Sequence, residues 1–133
     1  MQTEPDKRTF PARVLVVDDD TDILELVKLL LEDAGFAVET ANCGQAAIDR
    51  LRLEKIARLD VVVLDINMPD VDGFKVAGEI RALQHCRRTQ IAFHTAMSED
   101  WVRESFDHFD DFLSKPLAGA ELVERIGRLA RTT

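Results

Sequence analysis

The chain lacks tyrosine and has one tryptophan and only two cysteines in 133 residues. Cys43 and Cys86 stand far apart and in no Cys-x-x-Cys pattern, which argues against a disulfide framework and against a zinc site. Cys43 reads as a small, partly buried residue rather than a reactive thiol. Long apolar runs are also missing. The longest are too short to cross a bilayer, and residues 1–8 hold no apolar core of a signal peptide. A reducing cytoplasm is therefore the expected setting, with no membrane association. Basic residues are outnumbered 17 to 25, for a formal charge of −8, so there is no basic footprint for nucleic acid or anionic lipid. An acidic surface suits cations or basic partner patches, and it also keeps a protein soluble. What the chain does have is 46% hydrophobic residues, enough for one globular domain with a sizeable core.

Residues 1–12 are polar, hold two prolines and read as a disordered lead-in. From Arg13 to Val17 the run is continuously apolar, the mark of a strand covered on both faces. Ile23, Val27, Leu30, Leu31 and Ala34 then fall at helical spacing, and Gly35 is a natural stop. The alternation continues with a strand Phe36–Thr40, a helix Gln45–Leu53, a β-branched strand Asp60–Leu64 and a helix Phe74–Leu83. After these come a strand Gln90–His94, a short helix capped by Ser98, a strand Asp111–Ser114 and a helix Glu121–Ala130. Five strand–helix units in succession imply a parallel sheet with helices on both faces, without repeats, low-complexity tracts or an internal linker.

In open parallel sheets, ligands bind beyond the carboxyl ends of the strands. Here those ends carry Asp18 and Asp19, Asp65 with Asn67 two residues on, Thr95, and Lys115 followed by Pro116. The second strand ends in Thr40, Ala41 and Asn42 and offers nothing comparable. Acids gathered at one edge repel, and a hard divalent cation relieves them. Mg²⁺ takes one or two carboxylates and keeps water and phosphate oxygens for its other positions. Asp19 and Asp65 with a carbonyl and water fit that habit, and Asp18 can act through water. An acid before a helix is also a cap, and one of Asp18, Asp19 and Asp20 is expected to serve as one. An EF-hand is excluded, because Ile23 stands at its turn glycine and Leu29 at its bidentate glutamate. Lys115 can place a point charge on a transferring oxygen, Thr95 can donate a hydrogen bond, and a cis Lys115–Pro116 bond is open. Together these groups make a site for phosphoryl transfer onto a carboxylate, with Asp65 the acceptor at the end of the central strand.

Those residues lie in the runs Val14–Asp20, Val63–Gly73, Thr95–Ala96 and Asp110–Pro116. Over about residues 13–131 the chain resembles the receiver domain of bacterial two-component response regulators, including the single-domain chemotaxis-type regulators. The resemblance implies a flavodoxin-like doubly wound (βα)5 sandwich of strand order 2-1-3-4-5. It implies that Asp65 takes a phosphoryl group from a sensor histidine kinase or a histidine phosphotransfer protein. It also implies Mg²⁺ on Asp19, Asp65 and the Asn67 carbonyl, with Asp18 holding a bound water. Lys115 would pair with the phosphate, and Thr95 and Phe112 would be the switch pair. The surface of the fourth helix, fifth strand and fifth helix would signal to a downstream protein target, with homodimerisation on phosphorylation a further expectation. The domain would be no enzyme toward outside substrates, though it would assist its own phosphorylation and slow dephosphorylation.

Three departures from the family pattern stand out. Phe112 replaces the usual tyrosine, the Thr95-to-Lys115 segment is slightly short with His108 and Phe109 where a Gly-Ala pair is common, and Met97 offers nothing to orient an attacking water. A phosphoryl lifetime longer than that of fast chemotaxis regulators is the expectation. Trp101, Phe106 and Phe109 read as core. Two rival functions are a receiver-like binding module that is never phosphorylated and a metal-dependent phosphatase. The second is disfavoured by Asn67, which cannot act as general acid or base. A flavin site lacks a phosphate-cradling loop after the first strand. A stand-alone regulator is the first expectation, and a segment of a hybrid histidine kinase or larger regulator the second.

Overall fold

A computed structural model describes residues 11–53 and 58–131, so most of the expected lead-in lies outside the described residues. The elements run Arg13–Val17 (β1), Thr21–Asp33 (α1), Ala37–Ala41 (β2), Gly44–Arg52 (α2), Val61–Leu64 (β3) and Gly73–Ala82 (α3). They continue with Gln90–Thr95 (β4), Glu99–Ser105 (α4), Asp111–Ser114 (β5) and Gly119–Ala130 (α5), and a 3-10 turn at Gln84–Cys86 precedes β4. All strand pairs are parallel and the order is β2-β1-β3-β4-β5, the doubly wound arrangement the sequence implies.

The apolar strands carry side chains to two separate cores. Val14, Val16, Val61 and Val63 pack with Val27 and Leu31 of α1 and with Leu122 and Ile126 of α5. Their strand neighbours Leu15, Val17, Val62 and Leu64 pack on the other face with Ile48, Leu51, Val76 and Ile80. A strand covered on both sides has no solvent face, which is why β1 and β3 read as unbroken apolar runs. Each fully buried aliphatic side chain contributes about 1.5–3 kcal/mol, so the central strands are the rigid part on which the strand-end residues stand.

Several boundaries differ from the sequence expectation for local reasons. β2 begins at Ala37 because Phe36 closes α1: its amide donates to Leu31 O at 3.0 Å while that of Gly35 (φ +101°) donates to Glu32 O at 3.0 Å. These two bonds are the Schellman closure that favours glycine. β3 begins at Val61, since the buried Asp60 carboxylate accepts from the Arg13 amide at 2.8 Å and from Arg58 Nε at 3.1 Å. α5 begins at Gly119, before the expected Glu121. Ser98 caps α4 as expected, accepting from the Trp101 amide at 3.1 Å.

The expected core role of Trp101 is not met. Val102 takes the inward position on this short helix, and Trp101 is 46% exposed, leaning on the Phe74 ring at 5.6 Å. Phe106 and Phe109 do pack against the core, 6.2 and 5.0 Å from the Phe93 ring centre.

Candidate functional site

Four strand ends converge on one group of side chains. β1 runs directly into Asp18, whose amide donates to Ala41 O at 3.2 Å and whose Oδ1 accepts from the Asp20 amide at 2.9 Å. β3 runs into Asp65, tied to β1 by its amide on Val17 O at 3.0 Å, with Oδ1 accepting from the Ile66 amide at 2.7 Å. After β5, Lys115 Nζ reaches Asp18 Oδ2 at 2.7 Å and Asp65 Oδ2 at 3.1 Å. Its own amide donates to Thr95 O at 2.8 Å, so β4 and β5 set the root of the lysine. The Lys115–Pro116 bond is cis.

One carboxylate oxygen from each of Asp18, Asp19 and Asp65 lies within 4.8 Å of the others, the only such cluster of potential ligands among the described residues. Asp18 and Asp65 are buried and Asp19 is exposed, with no ion pair or hydrogen bond to any described residue. Three hard, anionic oxygens with one ligand turned to solvent fit Mg²⁺, and the all-oxygen donor set disfavours softer metals. Burial raises the Asp18 pKa above its ordinary value, and the hydrogen bond from Lys115 only partly offsets that. Burial pulls the Lys115 pKa down, but its bonds to Asp18 and then Asp65 outweigh this and leave it raised. The lysine is therefore a fixed cation, and the acids around it remain short of positive charge.

The remaining sequence-predicted residues occupy different positions around this centre. Thr95 is buried at the end of β4, its Oγ1 accepting from the Met97 amide at 3.3 Å. Asn67 is exposed in the β3–α3 loop, two residues beyond Asp65. Phe112 is buried in the core layer that holds Phe93 and Val102. Asp20 is the acid that caps, accepting from the amides of Asp22 at 3.0 Å and Ile23 at 3.2 Å.

Two positioning features escaped sequence reasoning. Asp70 accepts from the amides of Gly44 at 3.0 Å and Gln45 at 2.9 Å, pinning the β3–α3 loop to the start of α2. The Gln45 bond in particular holds its pKa at about 2. Gly73 donates to Ile66 O at 2.8 Å, and a Cβ there would collide with Asp65 O and Ile66 Cα. Both contacts span folded loops, so no local spacing signals them. A third residue, His94, lies buried just before Thr95, and its only sequence signal is a polar residue inside an apolar strand.

Comparison with known proteins agrees with this geometry. The response regulator receiver domain family matches residues 14–127. The transcriptional regulatory protein PrrA of Mycobacterium leprae is 40% identical over 119 residues, 90% of this chain and 50% of that protein. The chain thus spans about half the length of the curated relatives it matches. Among solved structures, the Thermotoga maritima response regulator TrrA in complex with Mg²⁺ and BeF is 35% identical with a TM-score of 0.77, covering 89% of this chain and 98% of that one. The receiver domain of a Pseudomonas aeruginosa sensor histidine kinase, with magnesium in its active-site cleft, is 27% identical with a TM-score of 0.80, covering 90% and 98%. By sequence, fold and the acids at its strand ends, this chain belongs to the response regulator receiver domain family.

Proposed function

We propose that Asp65 is the phosphoacceptor of a two-component phosphorelay, receiving its phosphoryl group from the phosphohistidine of a sensor histidine kinase or phosphotransfer protein. The observation that carries this reading is the Lys115 ammonium bridging Asp18 and Asp65 inside a cluster of three acids. Such a carboxylate is held in place by Lys115 Nζ and the Ile66 amide, with an oxygen presented beside the cluster. Transfer to it needs alignment and charge neutralisation more than covalent machinery.

Asp19, Asp65 and the Asn67 carbonyl would hold Mg²⁺, with Asp18 acting through water. The ion would supply positive charge for the phosphoryl oxygens. Lys115 stays protonated and offsets charge on the acceptor side. Thr95 Oγ1 accepts from Met97 in the resting geometry, so its hydroxyl hydrogen is free to donate to a phosphoryl oxygen. Phe112 lies on β5 opposite Phe93 and Thr95 opposite Ser114, so a shift of Thr95 can pass to the α4-β5-α5 surface through paired strands. The receiver unit is residues 13–131. A downstream protein partner and phosphorylation-dependent homodimerisation belong to that surface, and a cytoplasmic setting fits the lack of a membrane-spanning helix among the described residues.

The test is intact mass after incubation with Mg²⁺ and acetyl phosphate. The expected result is one phosphoryl adduct that Asp65→Ala and metal chelation abolish. An unmodified wild type, or an equal adduct on Asp65→Ala, overturns the assignment and revives the never-phosphorylated binding module.

A further inference from the structure

On the sheet face away from Phe93, a cavity of about 410 Å³ opens between α1, α5 and the loop after β5. Leu26, Val27 and Leu30 form one wall, and Pro116, Leu117 and Leu122 the other. At its floor lies His94, 6% exposed, whose ring forms no hydrogen bond to any described residue. A buried imidazole without a partner is unusual, since buried polar side chains are nearly always satisfied. Burial, then the charge of Lys115, holds its pKa down at about 4 against the opposing pull of Asp65, so the ring is neutral at physiological pH. A neutral imidazole carries one donor and one acceptor, and the residues that line the space with it are mostly apolar. The volume lies within the roughly 300–1,000 Å³ of small-molecule sites, which combine apolar walls with a few polar anchors.

We infer that the α1–α5 cavity is a binding site for a small neutral molecule with an aromatic or branched apolar body and a single hydroxyl, which His94 engages. Charged ligands are disfavoured by the apolar walls. Lys115 also borders the space, and its ammonium is already committed to Asp18 and Asp65. Leu26, 57% exposed at the rim, leaves the entrance open. The cavity borders Lys115 and lies beside Thr95, but binding there does not require acyl phosphate formation.

The probes are p-cresol and toluene, titrated into isotope-labelled protein and followed by the resonances of Leu26, Leu30, Leu117 and the His94 ring. A merely greasy groove prefers toluene, because the phenolic hydroxyl must be stripped of water for nothing. With His94 as partner, p-cresol binds saturably and at least as tightly as toluene. His94→Phe, which keeps a ring on the cavity floor, shifts the affinity ratio toward toluene by about fivefold, roughly the worth of one neutral hydrogen bond. His94→Leu serves as a second variant if the phenylalanine perturbs the fold, and the same shift is expected. No saturable response at these residues, or the same ratio in wild type and both variants, overturns the inference.

Discussion

Deleting the ammonium at residue 115 is the sharpest perturbation of the site, and its cost follows from two distances. Lys115 Nζ lies 2.7 Å from an Asp18 oxygen and 3.1 Å from an Asp65 oxygen, and those carboxylate side chains are 3% and 9% exposed. Lys115→Met keeps most of the stem and leaves two acids facing each other with no cation. Removing one partner of a buried pair costs roughly 3–5 kcal/mol. The lysine side chain is 16% exposed and Asp19 beside it faces water, so screening reduces the expected loss to about 2–3 kcal/mol. For a chain of this size that is roughly 7–11 °C in melting temperature.

The sign with pH is set by Asp18. Its folded pKa already lies above the ordinary 3.8, chiefly through burial, so its contribution to stability falls as pH rises from 3.8 through the folded value. Without the lysine that value rises further, and the deficit of the variant is smallest in mild acid and largest at neutral pH. Lys115 itself, raised above 10.5, contributes stability that is full below 10.5 and is lost as pH passes its folded value, an alkaline limb the variant lacks. Urea denaturation of both proteins at about pH 5 and about pH 7.5, with and without magnesium, reads all of this. Magnesium should narrow the gap at neutral pH by supplying the missing charge. Equal stability at neutral pH, a deficit that grows in acid, or indifference to magnesium refutes the reasoning.

Asp20→Ala removes the side-chain cap of α1 and should lower stability by about 1 kcal/mol at unchanged denaturant dependence, while the yield of acyl phosphate stays that of wild type. Asp70 contributes stability that is present above its ordinary 3.8 and lost as pH falls toward about 2, so acid unfolding of Asp70→Ala should lack that part of the transition. Gly73→Ala forces a side chain into the backbone of Asp65, and the initial rate of adduct formation should fall by about tenfold as the acceptor is displaced. A wild-type rate for that variant would show that the loop does not set the aspartate.

The fold was legible because its strongest signals are periodic and local. β1 matches the sequence reading at both ends, since a strand with two covered faces announces itself by uninterrupted apolar residues and then a polar stop, and β5 matches at both ends as well. Where the reading slipped at Phe36 and Asp60, a residue that looks like part of an element is drawn into a bond outside it, whereas α5 starts two residues before the expected Glu121. Phe36 gives its amide to the end of α1, and Asp60 gives its carboxylate to Arg13. Trp101 was misjudged for another reason. On a seven-residue helix there is room for one fully inward position, and Val102 holds it.

The site divides along the same line. Asp18, Asp65, Thr95 and Lys115 were visible because each ends a strand, and a parallel sheet delivers its strand ends to one edge whatever their separation in sequence. Asp70 and Gly73 were not, because their importance lies in contacts between loops and helix starts that the chain spells out nowhere nearby. The division has a physical consequence for evolution of the domain. Strand-end groups are held by the core and stay aligned when the surface changes, whereas the loop that carries Asn67 hangs on Asp70 and Gly73. Substitutions at those two residues should therefore alter how fast Asp65 reacts well before they alter whether the sheet folds, which Asp70→Ala tests directly: unchanged strand protection in hydrogen exchange, with slower adduct formation, is the expected pair of results.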